Sequence, residues 1–528
     1  MYRLNQRVLL LLSVILIWGC DSKKKTAEET EAEGERPNIL FILSDDHTSQ
    51  AWGLYGGILA DYVKNDNLKR MAREGAVLNN AFCTNSICSP SRGSILTGQY
   101  SHLNQVYTLS EPLPKGHPNI AKTLSKAGYE TAVIGKWHLV EQPEGFDYFN
   151  VLPGQGVYWN PVLKEKENWK DGYDGSAGKT YEGFSTDVIA DLTIAHLEKR
   201  NPEKPFLMFC NFKATHEPFH YPDRHASLYE DMEIPEPESL LDSGPETTGR
   251  TFGGQILERL AARWEEATKN PDKFWTDYPG LPYPLEGLDS VQRREKIYQK
   301  FVKDFMRCGA AIDDNIGKLL DYLEKEGIAD NTIVVYTADQ GYFLGEHGFF
   351  DKRLIYEESL RMPFVIRYPK KIKGGQRIDD IILNIDFAAL MADYAGVPQP
   401  EYMQGRSFRG ILEGNPPEDW RQQMYYRYWL HHPYRPAHFG IRNHRYKLAL
   451  FYGQDLEMRG TSKETTPPQW EFYDLEEDSK ELHNAIGEEK YASIIADMKK
   501  ALLEERKKYR DLDEDYPVMK EILAEAFE

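Results

Sequence analysis

The first clear pattern along the chain is a short, nearly unbroken apolar run, Asn38-Ile39-Leu40-Phe41-Ile42-Leu43, which passes directly into Ser44, Asp45, Asp46 and His47. Similar runs occupy 131–134, 205–211, 332–336 and 363–367. Runs of this length without polar alternation fit strands covered on both faces. Between them, 187–199 and 305–326 carry helical spacing. Strands alternating with helices predict an α/β fold with a parallel or mostly parallel sheet flanked by helices. Ligands in such sheets bind beyond the carboxyl ends of the strands. The polar residues that close each run are therefore the first site candidates.

Residues 226–289 break the pattern, being rich in Pro, Gly and charge, and predict an insertion near the substrate. From about residue 420 the character changes again. The stretches 424–429, 438–442, 446–451 and 470–475 predict a smaller antiparallel sheet, followed by an amphipathic helix at 491–509. The expected boundaries are thus a main domain at 37–419 and a C-terminal subdomain at 420–528. The N-terminus differs from both. Arg3 and Arg7 precede an apolar run at 8–18, too short for the roughly 20 residues of a membrane-spanning helix. Ile17-Trp18-Gly19-Cys20 resembles a bacterial lipobox. The expectation is a signal peptide at 1–19, lipid on Cys20 and a charged flexible tether at 20–36. That would anchor the protein to a membrane of the bacterial cell envelope, at the outer membrane, the cell surface or in the periplasm.

With 528 residues, 41% of them hydrophobic, the chain can bury a large core. Its net charge of −19 argues against a nucleic-acid partner. An anionic substrate would need a local basic pocket, since short-range pairs outlast screened long-range repulsion. There are five cysteines. Setting Cys20 and Cys88 aside leaves Cys83, Cys210 and Cys308, which is no disulfide framework, and no zinc-type spacing occurs.

The chemistry concentrates in a few strings. Cys88-Ser89-Pro90-Ser91-Arg92 continues to Leu96-Thr97-Gly98. Pro90 suits the first turn of a helix, which puts Cys88 at a helix N-terminus, where free amides favour an anion. Arg92, one turn in, can reach back to the same spot. Asp45 and Asp46 close the first run, and Asp339 and Gln340 follow the run at 332–336. Oxygen donors of this kind suit a hard divalent cation, calcium by expectation and magnesium as its competitor. Lys136 and His138 follow the run at 131–134 and share a face if that strand continues. His216 lies past the run at 205–211, and Lys352 follows a glycine-rich loop at 341–348.

Together these strings resemble the type I, formylglycine-dependent sulfatases of the alkaline phosphatase superfamily, of the polysaccharide-acting kind. The resemblance spans about 37–484. It is carried by the Cys88 segment, Ser44-Asp45-Asp46, Gly135-Lys136-Trp137-His138, Asp339-Gln340-Gly341 with Asp351-Lys352-Arg353, and Phe472-Tyr473-Asp474-Leu475. It implies an alkaline-phosphatase-like sheet with a smaller C-terminal antiparallel subdomain, and a maturase that oxidises Cys88 to formylglycine (3-oxoalanine). It further implies that Asp45, Asp46, Asp339, Gln340 and position 88 hold calcium. Arg92 and Lys136 would steady the formylglycine hydrate and its sulfate adduct. His138 would take a proton, while His216 and Lys352 grip the sulfate and His216 protonates the leaving oxygen. Gln340 departs from the pattern, since Asn or His is common there and Gln is longer.

For the substrate, the expectation is a sulfated polysaccharide or oligosaccharide, with an algal glycan such as ulvan first. The rivals are an N-acetylglucosamine-6-sulfate or glycosaminoglycan sulfatase, a phosphoester hydrolase of the same superfamily, and a non-catalytic glycan-binding lipoprotein. His347 and His438 are the expected sugar contacts, with Trp429, His431, His432 and Arg442 near them.

Overall fold

Four neighbouring parallel strands carry the polar strand ends on one frame. In sheet order they are Thr332–Ala338, Asn38–Asp45, Phe206–Thr215 and Glu130–Lys136. In this computed structural model, which describes residues 36–171, 177–242, 254–271, 277–512 and 516–527, they form the centre of an eight-stranded sheet. The expected signal peptide, Cys20 and nearly all of the tether lie outside the described residues. Tyr148–Leu152 extends the sheet at one edge, and Phe364–Arg367, Ala76–Leu78 and Gln376–Ile378 extend it at the other. Only Phe364–Arg367 runs antiparallel to its neighbours.

The unbroken apolar run has a direct cause. Ile39, Phe41 and Leu43 enter one core cluster and Leu40 and Ile42 enter another on the opposite face. Both faces of the central strand are therefore dry, and a polar residue on either would lose its hydration without a partner.

The helix expected at 305–326 is longer. It runs over Ser290–Lys325 and opens on a capping box between Asp289 and Gln292. Its first half packs Ile297, Tyr298, Phe301 and Phe305 against Leu257, Leu260 and Trp264 of the helix Leu257–Lys269. The apolar spacing of this half is diluted by charges, so it was not legible without its partner helix. That partner lies inside the region expected as an irregular insertion.

The strands Gln423–Tyr428, His438–Asn443, Tyr446–Phe451 and Gln469–Asp474 form an antiparallel sheet of four. The helix Ala492–Lys508 packs on it. Both sheets belong to one compact unit, 37–528. Arg427 of the smaller sheet donates its backbone N–H to Thr84 O at 3.1 Å, and Arg442 pairs with Glu357 at 3.0 Å. Among the described residues no helix is long and apolar enough to cross a membrane.

Candidate active site

Cys88 begins the helix Cys88–Thr97, following the extended Ile87. Pro90 sits in the first turn, and Gly98 ends the helix at φ 69°, donating to Ser94 O at 2.8 Å. The left-handed glycine is the standard way to satisfy a last-turn carbonyl. Every residue of this helix is buried. The Cys88 Sγ lies 3.9 Å from Asp46 Oδ1 and 3.9 Å from Gln340 Nε2. Burial, and then the charge of Asp45, push the Cys88 thiol well above its ordinary range. A thiol held protonated is a poor nucleophile.

Beside it, Asp45, Asp46 and Asp339 bring carboxylate oxygens within 4.8 Å of one another, all buried. Asp45 ends the central strand, and Asp46 turns off it at φ 64°. The Asp46 N–H donates to Asp339 Oδ1 at 3.1 Å, which ties the two strand ends together. Asp45, Cys88 and His216 form a second such group. Burial, partly offset by Lys352, pushes Asp46 up to about 6, and burial with Asp45 beside it pushes Asp339 up to about 8. Burial also pushes Asp45 up, yet Lys136 and its other cationic neighbours hold it well below the usual range. Asp45 Oδ1 and Gln340 Oε1 are buried without a hydrogen-bond partner among the described residues. Gln340 already contacts Asp46 through its amide nitrogen. Turning the amide would add its oxygen to the carboxylates. Repelling carboxylates, orphaned oxygens and an all-oxygen donor set fit a hard divalent cation.

The cations are placed around this cluster. Arg92 donates from Nε to Asp339 at 2.8 Å and from Nη1 to Lys136 O at 2.8 Å. Lys136, the last residue of its strand, pairs with Asp45 and donates to Gln155 Oε1 at 2.6 Å. Gly135 before it has φ 101°, and a Cβ there would meet Asn211 O of the next strand. Lys352 bonds both oxygens of Asp46. His216 Nε2 stands 3.9 Å from Asp46 Oδ2, with Nδ1 2.8 Å from Glu217 O. His138 does not continue the strand, contrary to the shared-face expectation. The strand stops at Lys136, and His138 takes φ 58°, held by Ser89 Oγ donating to its carbonyl at 2.7 Å. Burial, and then Lys136, keep both His138 and His216 well below their usual range.

Of these groups, Asp46, Cys88, His216 and Lys352 line a cavity of about 220 Å³. The same wall carries Gln155, Tyr342, Arg263, Asp351, Arg353 and Arg435. Asp351 and Arg353 were part of a motif. Gln155, Arg263 and Arg435 come from loops and from the insertion helix, and no local pattern marks them. Arg435 pairs with Asp351 at 2.9 Å. Tyr426 of the smaller sheet braces the rim, donating to Arg353 O at 2.6 Å and accepting from Ser86 N at 3.1 Å.

The expected sugar contacts lie elsewhere. His347 is buried among Phe343, Phe349 and Tyr356, with Nδ1 3.6 Å from Asp242. His438 is fully buried, stacks on Phe451 at 4.4 Å, and is driven down to about 3 by burial. Trp429 packs under Arg427, and Arg442 is committed to Glu357. His431 contacts Glu464 O at 2.7 Å. His432 comes nearest, in a groove that shares Arg263 and Arg435 with the cavity. The smaller sheet is covered, so its inward side chains serve packing.

Known proteins bear on this site. A family model described as sulfatase matches residues 37–397, and one described as the N-sulphoglucosamine sulphohydrolase C-terminal region matches 345–508. An N-acetylglucosamine-6-O-sulfatase of Bacteroides thetaiotaomicron is 36% identical over 96% of this chain and 92% of its own. An ulvan-active sulfatase of Formosa agariphila is 26% identical over 79% of this chain and 72% of its own. A solved structure in complex with its substrate D-glucosamine-2-N,6-O-disulfate matches with a TM-score of 0.82 at 36% identity, covering 91% of this chain and 100% of that one.

Proposed function

The chain belongs to the sulfatase family, which hydrolyses sulfate esters, here on carbohydrate, and from that premise we propose that its substrate is a glucosamine unit sulfated at O6, as in N-acetylglucosamine 6-sulfate. The observation that carries this reading is the 36% identity, over nearly the whole of both chains, with the N-acetylglucosamine-6-O-sulfatase. The ulvan expectation gives way to it, because the ulvan-active relative is less similar over a shorter span.

In this reading Cys88 is matured to formylglycine, which supplies a hydrated aldehyde as the nucleophile. Calcium, or magnesium in its place, would be held by Asp45, Asp46, Asp339, Gln340 and position 88, and would supply positive charge to the sulfate oxygens. The chain's own residues do the rest. Arg92 and Lys136 fix the orientation of the carboxylates and of residue 88. Lys352 offers its ammonium to the sulfate, in a buried site where such a charge acts strongly. His216 is kept neutral by burial, and an arriving sulfate beside it would raise its pKa, which favours a proton ready for the leaving sugar oxygen. His138, neutral and buried, would accept a proton at its ring. Asp351, Arg353 and Arg435 offer an acceptor and donors to sugar hydroxyls. As part of the same proposal, lipid on Cys20 would tether the enzyme at the cell envelope, where sulfated glycans reach it.

The test is free sulfate release, read by ion chromatography, from N-acetylglucosamine 6-sulfate and from ulvan oligosaccharides, using enzyme with formylglycine verified. Release from the glucosamine sugar, absent in Cys88→Ala, is the expected result. Release from ulvan fragments with none from the glucosamine sugar would overturn the reading.

A further inference from the structure

Next to the catalytic cavity lies a larger cleft of about 860 Å³, which shares Gln155, His216 and Glu217 with it. Its wall includes Tyr158, Trp159, Lys213 and His220. Lys213 stands three residues before His216, near the end of the strand Phe206–Thr215. It is only 2% exposed, and its ammonium has no hydrogen bond or ion pair with a described residue. The Tyr158 ring faces it, 4.9 Å from Nζ.

A buried ammonium without a counter-ion is unfavourable. Burial, and then the charge of Lys136, push Lys213 down to about 8. The carboxylates of the cleft do not relieve it. Glu217 is committed to Arg263 at 2.5 Å and to Tyr278. Asp277 is 95% exposed and faces His220 at 3.6 Å. Trp159, on the same cleft wall, leaves 38% of its surface exposed. An exposed aromatic face and a buried positive charge on one cleft wall suit an acidic sugar, whose ring stacks while its anion is neutralised.

We propose that this cleft is a subsite for a second anionic substituent of the substrate, a sulfate or a carboxylate, with Lys213 as its counter-ion and Trp159 as its stacking surface. The subsite rests on the sulfatase reading of the neighbouring cavity. It would make the enzyme prefer doubly acidic glycan units over singly sulfated sugar.

Calorimetry on calcium-loaded, inactive Cys88→Ala protein tests it directly. The probes are N-acetylglucosamine 6-sulfate, D-glucosamine-2-N,6-O-disulfate, and a disaccharide joining a uronate to 6-sulfated glucosamine. One or both of the doubly anionic probes should bind about tenfold to a hundredfold more tightly than the first. Which of them does so separates sulfate from carboxylate. Lys213→Met on the same background should abolish that gap and leave the first probe within about twofold. Lys213→Gln serves if the Met variant fails to fold. A gap that survives the substitution, no gap at all, or no binding of any probe overturns the subsite. Sulfate release from N-acetylglucosamine 6-sulfate by wild-type enzyme is read separately. Its absence would overturn the function proposed above, whatever calorimetry returns.

Discussion

At the scale of single residues, the site divides its labour through burial. Cys88, His138 and His216 are all held in their neutral forms, while Lys352 is held charged by Asp46 against the opposing pull of burial. A neutral histidine beside an anion can gain a proton when substrate arrives. His216→Ala should therefore cost about 10²–10⁴ in kcat on a sugar sulfate, whose leaving oxygen needs a proton. The cost should be much smaller on 4-nitrophenyl sulfate, whose leaving group departs as a stable anion. Equal losses on both substrates, measured by sulfate release, would remove His216 from that role. His138 and His216 were legible because each lies just past an apolar run, Cys88 because Pro90 marks the helix it opens, and Lys352 because it follows a glycine-rich loop. Gln155 and Lys213 were not, because their importance comes from what faces them across the cavity.

At the scale of elements, the sheet order does the assembling. Adjacent parallel strands end at Ala338, Asp45, Thr215 and Lys136, so Asp339, Asp45, His216 and Lys136 meet at one edge. The smaller sheet contributes a brace, since Tyr426 joins the loop before Cys88 to the loop carrying Lys352 and Arg353. Tyr426→Phe keeps the ring but strands Ser86 N and Arg353 O. It should lower stability by about 1–3 kcal/mol and reduce kcat/KM without abolishing activity. Urea unfolding together with steady-state kinetics checks both, and an unchanged urea midpoint would deny the brace. His438 is fully buried and does not line the cavity. A strand in a covered sheet sends alternate residues to opposite faces, and here both faces are packed.

Across the whole molecule, charge is arranged in buried pairs. Arg427 of the smaller sheet and Asp511, beyond the helix Ala492–Lys508, pair at 1% exposure each, with Tyr425 donating to the same carboxylate. Removing Arg427 leaves the buried Asp511, among the described residues, with only the longer 3.7 Å pair to Arg506, so Arg427→Met should cost up to about 3–5 kcal/mol, read as a lower urea midpoint. Burial alone would raise the Asp511 pKa, but Arg427 and its other cationic neighbours hold it far below the usual carboxylate range. Its contribution is full above about pH 4 and is lost as pH falls through the folded value. The metal cluster carries the opposite sign. Asp46 and Asp339 are raised to about 6 and about 8 without a cation, so ionising them destabilises the fold as pH rises. A divalent cation competes with those protons. The rise in melting temperature on adding calcium to chelated protein should therefore be larger at pH 8 than at pH 5, and a pH-independent rise would contradict the assignment.

The sequence alone determined the α/β class, the order of the strands along the chain, the Cys88 helix and the carboxylates, because these depend on local spacing and on residues adjacent to each strand end. The order of strands across the sheet, the left-handed turn at His138, the length of the helix Ser290–Lys325, and the meeting of Arg263, Arg435 and Lys213 around two joined cavities were decided by the tertiary structure. Those features depend on contacts between segments up to hundreds of residues apart, and the energy of such contacts leaves no periodic signature in either segment.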